Sequence, residues 1–468
     1  MPGAAAVAVR GGRVVGLGSP SALRRLAGGT VHRIDCRGAT VLPGLVDPHL
    51  HLFALAARGA HLECGAFRSV AALLAAIRAS VRTVQPGGWV RGEGLDDHLL
   101  GRLPTAAELD RASPHVPVRL RHRTRHASVL NGVGLARLGA RPGVERRHGR
   151  PTGLVYGEEA AVGRVVGPLP AGVIADGLVA AAGALRAAGV TTVADATPRS
   201  WRELGPLRGL VEAGGMGVRV FAMRRAGAPP WRGGDRLRPG PVKLMVEEGP
   251  GGLCPTPAVL ARRIALGAVT GGVAVHCLGA STLVAALAGF AALPARLRGR
   301  GPHRLEHVAE CPPPLVQGIA ALGLTVVTNP AFVRQRGDVY RRETEATRWS
   351  WLYRARTLAA AGVRLAAGSD APIGPLSPWI GLATARARRT ASGAVLGGRE
   401  RLAAADALAL FTCGAADALG APALGRLRVG GPADLIAVEP DPLRAPPDEV
   451  ATARVRFSML GGEVAWHA

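Results

Sequence analysis

Lysine is nearly missing: one residue, Lys243 in Gly240-Pro-Val-Lys-Leu-Met-Val246, stands against 57 arginines in 468 residues. A lone lysine in such a composition marks a place where guanidinium will not serve. An amine can be desolvated and deprotonated to act as a nucleophile, whereas arginine stays protonated. The same neutral amine can add carbon dioxide to form a carbamate, and an ordinary solvated lysine is the third reading. Acidic residues are also scarce, 33 against 58 basic, for a net charge of +25. That excess would ordinarily raise nucleic acid or an anionic membrane as partner. Here the arginines are scattered singly and no nucleic-acid motif accompanies them, so neither partner is expected. The six cysteines show no CxxC or other paired spacing, which excludes a disulfide framework and reads as reduced core thiols of a cytoplasmic protein. No run approaches ~18 uninterrupted apolar residues, so no spanning helix is expected. The N-terminus has no basic segment ahead of a long apolar run, so no signal peptide is expected either.

What is present is a globular chain, 48% hydrophobic, long enough for a barrel of alternating strands and helices. Residues 4–18 read as a hairpin around Gly11-Gly12, followed by a strand at Thr30-Val-His-Arg-Ile34. Strand-like runs return at Gly430–Val438 and Val455–Trp466, the latter turning at Gly461-Gly462. The two chain ends are therefore expected to share a small β-sandwich domain, 1–43 with 422–468. Between them eight short β-rich runs recur: Gly44–His51, Gly189–Asp195, Gly217–Ala222, Pro241–Val246, Gly272–His276, His303–His307, Gly323–Thr328 and Gly362–Asp370. Alanine-rich helical patterns separate most of them, at Asp176–Ala188, Pro257–Val269 and Trp351–Ala361. The expected class is α/β, a distorted (β/α)8 TIM barrel over 44–421. The gap after the first strand is too long for one crossover, so 52–175 is expected to be an insertion with its own helices and strands. Within it Arg119-Leu-Arg-His-Arg-Thr-Arg-His126 alternates as a strand of a sheet or pocket wall would.

Chemistry-bearing residues sit where these strands end. His49-Leu-His51 closes the first, and a period of two puts both imidazoles on one face. That is the arrangement of a metal chelate, or of two hydrogen-bonded histidines. The fourth strand carries Lys243, the fifth ends on His276, the sixth on His307 and the eighth on Asp370. Strand ends converge on one rim of a barrel, where barrel active sites lie, and four His, one Lys and one Asp there suit zinc or a similar divalent ion.

Leu42-Pro-Gly-Leu-Val-Asp-Pro-His-Leu-His51, Val242-Lys243, Val275-His276, Leu305-Glu-His307 and Gly368-Ser-Asp370-Ala-Pro resemble the amidohydrolase superfamily. The long insertion, with Gly88-Trp89, Pro104-Thr105, Leu109-Asp110, Pro117-Val118, His126, Asn131 and Thr152-Gly153-Leu154, resembles the branch of N-substituted formamide deformylases, amidohydrolase family 3. The resemblance implies that His49, His51 and Asp370 bind one metal, and His276 and His307 a second, with zinc the expected identity of both. It implies that Lys243 bridges the two as its carbamate. It further implies hydrolysis of a non-peptide C–N bond, in an amide, formamide or cyclic amide, by metal-activated hydroxide, with Asp370 moving the proton. The implied partner is a small-molecule substrate, and a homo-oligomer is compatible with it. The chain departs from the branch at His276-Cys-Leu-Gly-Ala280, where Gly-Asp is usual, at Glu247-Glu248-Gly249 for Asp-Gly, and at Asn131-Gly-Val-Gly for Asn-Ser. It also supplies one strand fewer at its start than the resemblance implies, which leaves Met1 open as initiator.

His126, Arg334 and Asp338 are the substrate candidates, the last two on an expected loop after the seventh strand. Structural or solvated roles stand beside each of them. Glu306, next to a ligand position, is expected to face away from the rim in a packing or supporting role, and Cys277 to be core. Three other functions fit these residues less well. A mononuclear deaminase of the same superfamily has no use for a bridging carbamate. An inactive binding protein on the same fold has no reason to keep six ligand positions. A Schiff-base lyase built on Lys243 leaves the histidines without a role.

Overall fold

The computed structural model describes residues 4–27, 29–124, 126–249 and 251–468. Met1 and Arg125, named above, lie outside them. The chain forms two compact units, one running to Phe53 and resuming over Leu178–Ala468, the other Ala54–Gly177.

The first unit is built on eight parallel strands: β1 (Leu45–Leu50), β2 (Val190–Arg199), β3 (Arg219–Arg225), β4 (Leu237–Leu244), β5 (Val273–Cys277), β6 (Arg304–His307), β7 (Thr325–Thr328) and β8 (Arg364–Ala367). They pair in chain order from β1 to β8. The loop after β8 returns to β1, with Asp370 N–H donating to His49 C=O and His51 N–H to Ala371 C=O, both 2.8 Å, so the barrel is nearly closed. Strand alternation sorts the side chains. Val242, Leu244, Val273, Val275, Leu305 and Val326 point outward into one core with helices Pro257–Val269, Ala280–Ala291 and Pro313–Ala321. Inward lie Val46, Ala194, Phe221, Ala274, Val327 and Ala366, packed on the short helix Cys413–Ala418. Both faces are buried, which is why these strands read as apolar runs rather than as alternating ones.

Two expected elements differ. The helix expected over 351–361 is only Arg356–Ala360, because Trp351 closes a 3-10 turn, Trp351 C=O and Tyr353 N–H are taken by Cys311 and Ala309, and the left-handed φ of +45° at Tyr353 breaks the helical path. Thr30–Ile34 forms no strand: it is exposed coil without a sheet partner. The rest of the terminal domain assembles from both chain ends. Thr40–Pro43, Leu435–Glu439, Arg454–Leu460 and Glu463–His467 make an antiparallel sheet, and the hairpin Ala6–Arg10 and Arg13–Gly18 packs on it through Val14, Leu435, Ala437, Phe457 and Met459.

The second unit has a six-stranded sheet in the order Leu62–Glu63, Val90–Leu95, Val118–His122, Ala127–Leu130, Arg150–Tyr156, Val144–Arg147. The first half of the arginine-rich run is thus a strand, Val118–His122, with Arg119 paired to Glu93 at 2.8 Å, and Arg123 and Thr124 turn after it. The residues that carried the branch resemblance are its internal stitches. Thr105 and Glu108 cap a helix reciprocally, Asp110 accepts from Gly132 N–H, and Asn131 Oδ1 accepts from Val118 and Gly134 N–H. Among the described residues no single helix is long and apolar enough to cross a membrane.

Closure leaves no room at Gly368, where a Cβ would stand 2.7 Å from His49 Cβ and 2.8 Å from its carbonyl oxygen. Gly368→Ala should lower stability by ~1–3 kcal/mol through overpacking. Denaturant unfolding monitored by circular dichroism measures this, and an unchanged midpoint would show that the seam does not depend on this contact.

Candidate metal centre

β1 delivers His49 and His51, β5 His276, β6 His307 and the loop after β8 Asp370, and they meet at the C-terminal mouth of the barrel. Ring centroids are 5.7 Å apart for His49 and His51, 4.7 Å for His49 and His307, and 4.6 Å for His276 and His307. Asp370 Oδ1 lies 3.2 Å from His51 Nε2 and 3.5 Å from His49 Nε2. Lys243 points inward from β4, between the outward Val242 and Leu244, and is 4% exposed.

The outer partners decide which nitrogen each ring offers. His49 Nδ1–H donates to Glu306, a carboxylate that also accepts from Arg304 Nε at 2.8 Å and Nη2 at 2.9 Å. His307 Nδ1–H donates to Asn329 Oδ1 at 2.7 Å, and the Asn329 amide is oriented by donating to Gly368 C=O at 2.8 Å. His51 Nδ1 shares a hydrogen bond of 2.9 Å with Thr197 Oγ1. In His49 and His307 the Nε2 lone pair is therefore free. His49 Nε2 and Asp370 Oδ1 are buried with no hydrogen-bond partner. A ring lone pair facing a carboxylate oxygen at 3.5 Å is an arrangement of two acceptors that only a cation relieves. The ligand atoms of His49, His51 and Asp370 all lie within 4.8 Å of one another, so this donor set fits a divalent ion.

The electrostatics agree with neutral imidazoles around one carboxylate. Burial, then the nearby Lys243 charge, pushes His49 down to about 4. Burial and the facing ring of the other lower His276 to about 3, and burial and His49 lower His307 to about 3. Burial acts to raise Asp370, but His51, 3.2 Å away, and the neighbouring rings of His49 and His307 outweigh it and hold the carboxyl below its ordinary range. Burial lowers the Lys243 ammonium, favouring the neutral amine. Two of these positions are strained: His307 has φ +69° and Asp370 φ +56°, in the left-handed region that side chains disfavour.

Glu306 does not face away from the centre, as alternation alone suggested. It shares the inward face with Arg304, and the left-handed turn at His307 and Val308 swings the next imidazole back over the mouth. Cys277 lies in the outer core, fully buried. The segment after β7 is not a loop but a helix, Ala331–Glu343. On it Arg334 is exposed beside Ala383 and Pro447, and the Asp338 carboxylate is taken up by Ser392 N–H at 3.0 Å and Oγ at 2.6 Å. Neither residue has the loop position that suggested a substrate contact. His126 is exposed in the second unit, next to the strand Ala127–Leu130. Asn329 and Thr197 are supporting positions that no pattern in the sequence singles out. Thr197 stands near the end of β2 and Asn329 directly after β7, strands that carry no metal-ligand candidate of their own.

A family profile described as the amidohydrolase family matches residues 33–465. The N-substituted formamide deformylase of Arthrobacter pascens is 27% identical, over 98% of this chain and 94% of that protein. Two solved structures of uncharacterized metal-dependent hydrolases are similar. The one from Pyrococcus horikoshii has a TM-score of 0.80 at 23% identity, the one from Pyrococcus furiosus 0.78 at 25%, each over 94% of this chain and 95% of theirs.

Glu306→Gln keeps the shape but weakens the pull on His49 Nδ1–H, and should reduce metal affinity about 10- to 100-fold, read by competition with a chromogenic chelator. The chelated protein should also lose stability on acidification. Between about 4 and the ordinary histidine value of 6.5 the unfolded chain binds protons at His49, His276 and His307 that the fold rejects, so stability rises with pH in that window. At pH 5 the loss should reach at most roughly 2 kcal/mol per histidine relative to pH 7. Urea midpoints across pH 4.5–7.5 measure it, and a flat profile would contradict the buried neutral rings.

Proposed function

The chain belongs to the amidohydrolase family, as a metal-dependent hydrolase, and we propose that it cleaves a non-peptide C–N bond, with N-substituted formamides and related amides as the substrate class. The observation that carries this reading is the buried pair of unsatisfied acceptors, His49 Nε2 and Asp370 Oδ1, aimed at one point on the barrel mouth. The relative from Arthrobacter pascens, matched along nearly its whole length, supports the choice of bond.

Two divalent ions, zinc in the first instance, would be held there, one by His49, His51 and Asp370 and the other by His276 and His307. Lys243 would be shared as its carbamate: the neutral amine that burial favours adds carbon dioxide, forming an N–C bond and releasing one proton. When bound, the ions supply Lewis acidity that makes water nucleophilic near neutral pH and polarises a carbonyl. The remaining work falls to the chain. Asp370, held ionised among the imidazoles, accepts the proton of the attacking water at its carboxylate and returns it to the departing nitrogen. Glu306, Asn329 and Thr197 keep the rings in register so that no reorientation accompanies the reaction. A single ion on His49, His51 and Asp370 would leave Lys243 buried without a partner, which is why the two-ion arrangement is preferred.

Metal analysis of purified protein should find two equivalents in the parent and at least one fewer in Lys243→Ala. The parent should release amine from at least one member of a panel of N-formyl, N-acyl and cyclic amides. A parent with no metal, or a Lys243→Ala variant that retains both equivalents, would overturn the assignment.

A further inference from the structure

At the end of β2, Asp195, Thr197 and Arg199 follow one another at the strand period. Thr197 holds His51, as described. Asp195 is wholly buried, and its Oδ1 accepts from the backbone N–H of Leu52 at 3.3 Å and of Thr197 at 3.1 Å. Its Oδ2 accepts from Arg199 Nε at 3.4 Å. The Arg199 guanidinium lies over the ring of Phe53, with Cζ 3.8 Å from the centroid. A clamp at Nε and an aromatic face beneath fix the plane of the group without using its outer edge. Nη1 and Nη2 have no protein acceptor among the described residues, and the side chain is 20% exposed. Two other guanidiniums, both exposed, are engaged, Arg225 at the end of β3 by Glu203 at 2.6 Å and Arg348 in a 3-10 turn by Glu310.

Two parallel N–H donors on a rigid plane are the complement of a carboxylate. This edge is two residues along β2 from Thr197, which holds His51, and on the same face of the strand, so an anion seated on it would lie on the side of the mouth that His51 occupies. A guanidinium serving only to neutralise Asp195 would have no need of a stacked ring that keeps its fork free. We propose that Arg199 is the anion anchor of the substrate pocket, and that the amides cleaved here carry a carboxylate near the scissile C–N bond. This rests on the reading of the barrel mouth as a hydrolytic centre and narrows its substrate class.

The metal-loaded enzyme is compared on N-formyl-phenylalanine and on N-(2-phenylethyl)formamide, which differ only by the carboxylate. The acid should be preferred in kcat/KM by about 10- to 100-fold, as expected for a bidentate charged hydrogen bond. Arg199→Gln should erase the preference, chiefly through KM, while Arg199→Lys, which keeps a cation beside Asp195, retains part of it. Independently of turnover, calorimetry on the same proteins compares 3-phenylpropanoate with 3-phenylpropanamide. The acid should bind at least tenfold more tightly to the parent, and Arg199→Gln should remove the difference. A preference that survives in Arg199→Gln, equal binding of acid and amide by the parent, or a parent that favours the uncharged formamide each overturns the proposal. If the parent cleaves neither formamide, the formamide reading fails, and the acid-to-amide binding ratio decides Arg199 by itself.

Discussion

A carboxylate that cannot reach water, Glu306, holds the centre of this protein together. It sits inside the barrel, accepts from Arg304 on its own strand and from His49 across the interior. Arg304 in turn donates to Pro48 C=O of β1 at 2.8 Å and to Ala418 C=O of the helix that packs on the inner face. Burying two charges is costly unless every donor and acceptor is matched, and removing one partner strands the other. The match here spans β1, β6 and the inner helix, so it sets their spacing as well as offsetting the desolvation. Burial alone would raise the Glu306 carboxyl, but Arg304 and then His49 pull it well below its usual range, and the imidazole is fixed with one nitrogen spent and the other free.

The mouth is assembled against local backbone preference. His307, Val308, Tyr353 and Asp370 all have left-handed φ angles, each costing on the order of 1–3 kcal/mol where it is not Gly. Such angles persist where surrounding contacts over-determine them. Asp370 is fixed by its N–H to His49 C=O, and Tyr353 by its N–H to Ala309 C=O and by the buried Arg388 guanidinium on its carbonyl at 3.0 Å. Regular strands would send His307 outward, away from His276; the strained turns bring both rings over one mouth. The strain therefore positions the chemistry directly, and the barrel beneath makes it affordable.

Much of the barrel could be read without coordinates because parallel strands buried on both faces leave continuous apolar runs, and Gly marks their entrances. His49, His51, Lys243, His276, His307 and Asp370 could be named for the same reason: polar residues that end apolar strands have little else to do. Thr30–Ile34 has the composition of a strand but no edge to pair with, and pairing is not a local property. Arg334 and Asp338 were misplaced because the residues after β7 continue as a helix, whose period sends Arg334 to the outer surface and Asp338 to Ser392.

Composition and pattern by themselves determined the eight-strand order, the shared terminal sheet, the long insertion and the set of nitrogen and oxygen donors, since each depends on residue type and short-range period. Only the tertiary structure decided what those donors face. Glu306 meets His49 across 257 residues, Asn329 meets His307 across 22, and the fork of Arg199 stays open because Asp195 and Phe53 hold its other atoms. Hydrogen-bond partners, tautomers and free edges follow from where strands close in space. No repeat along the chain encodes that distance.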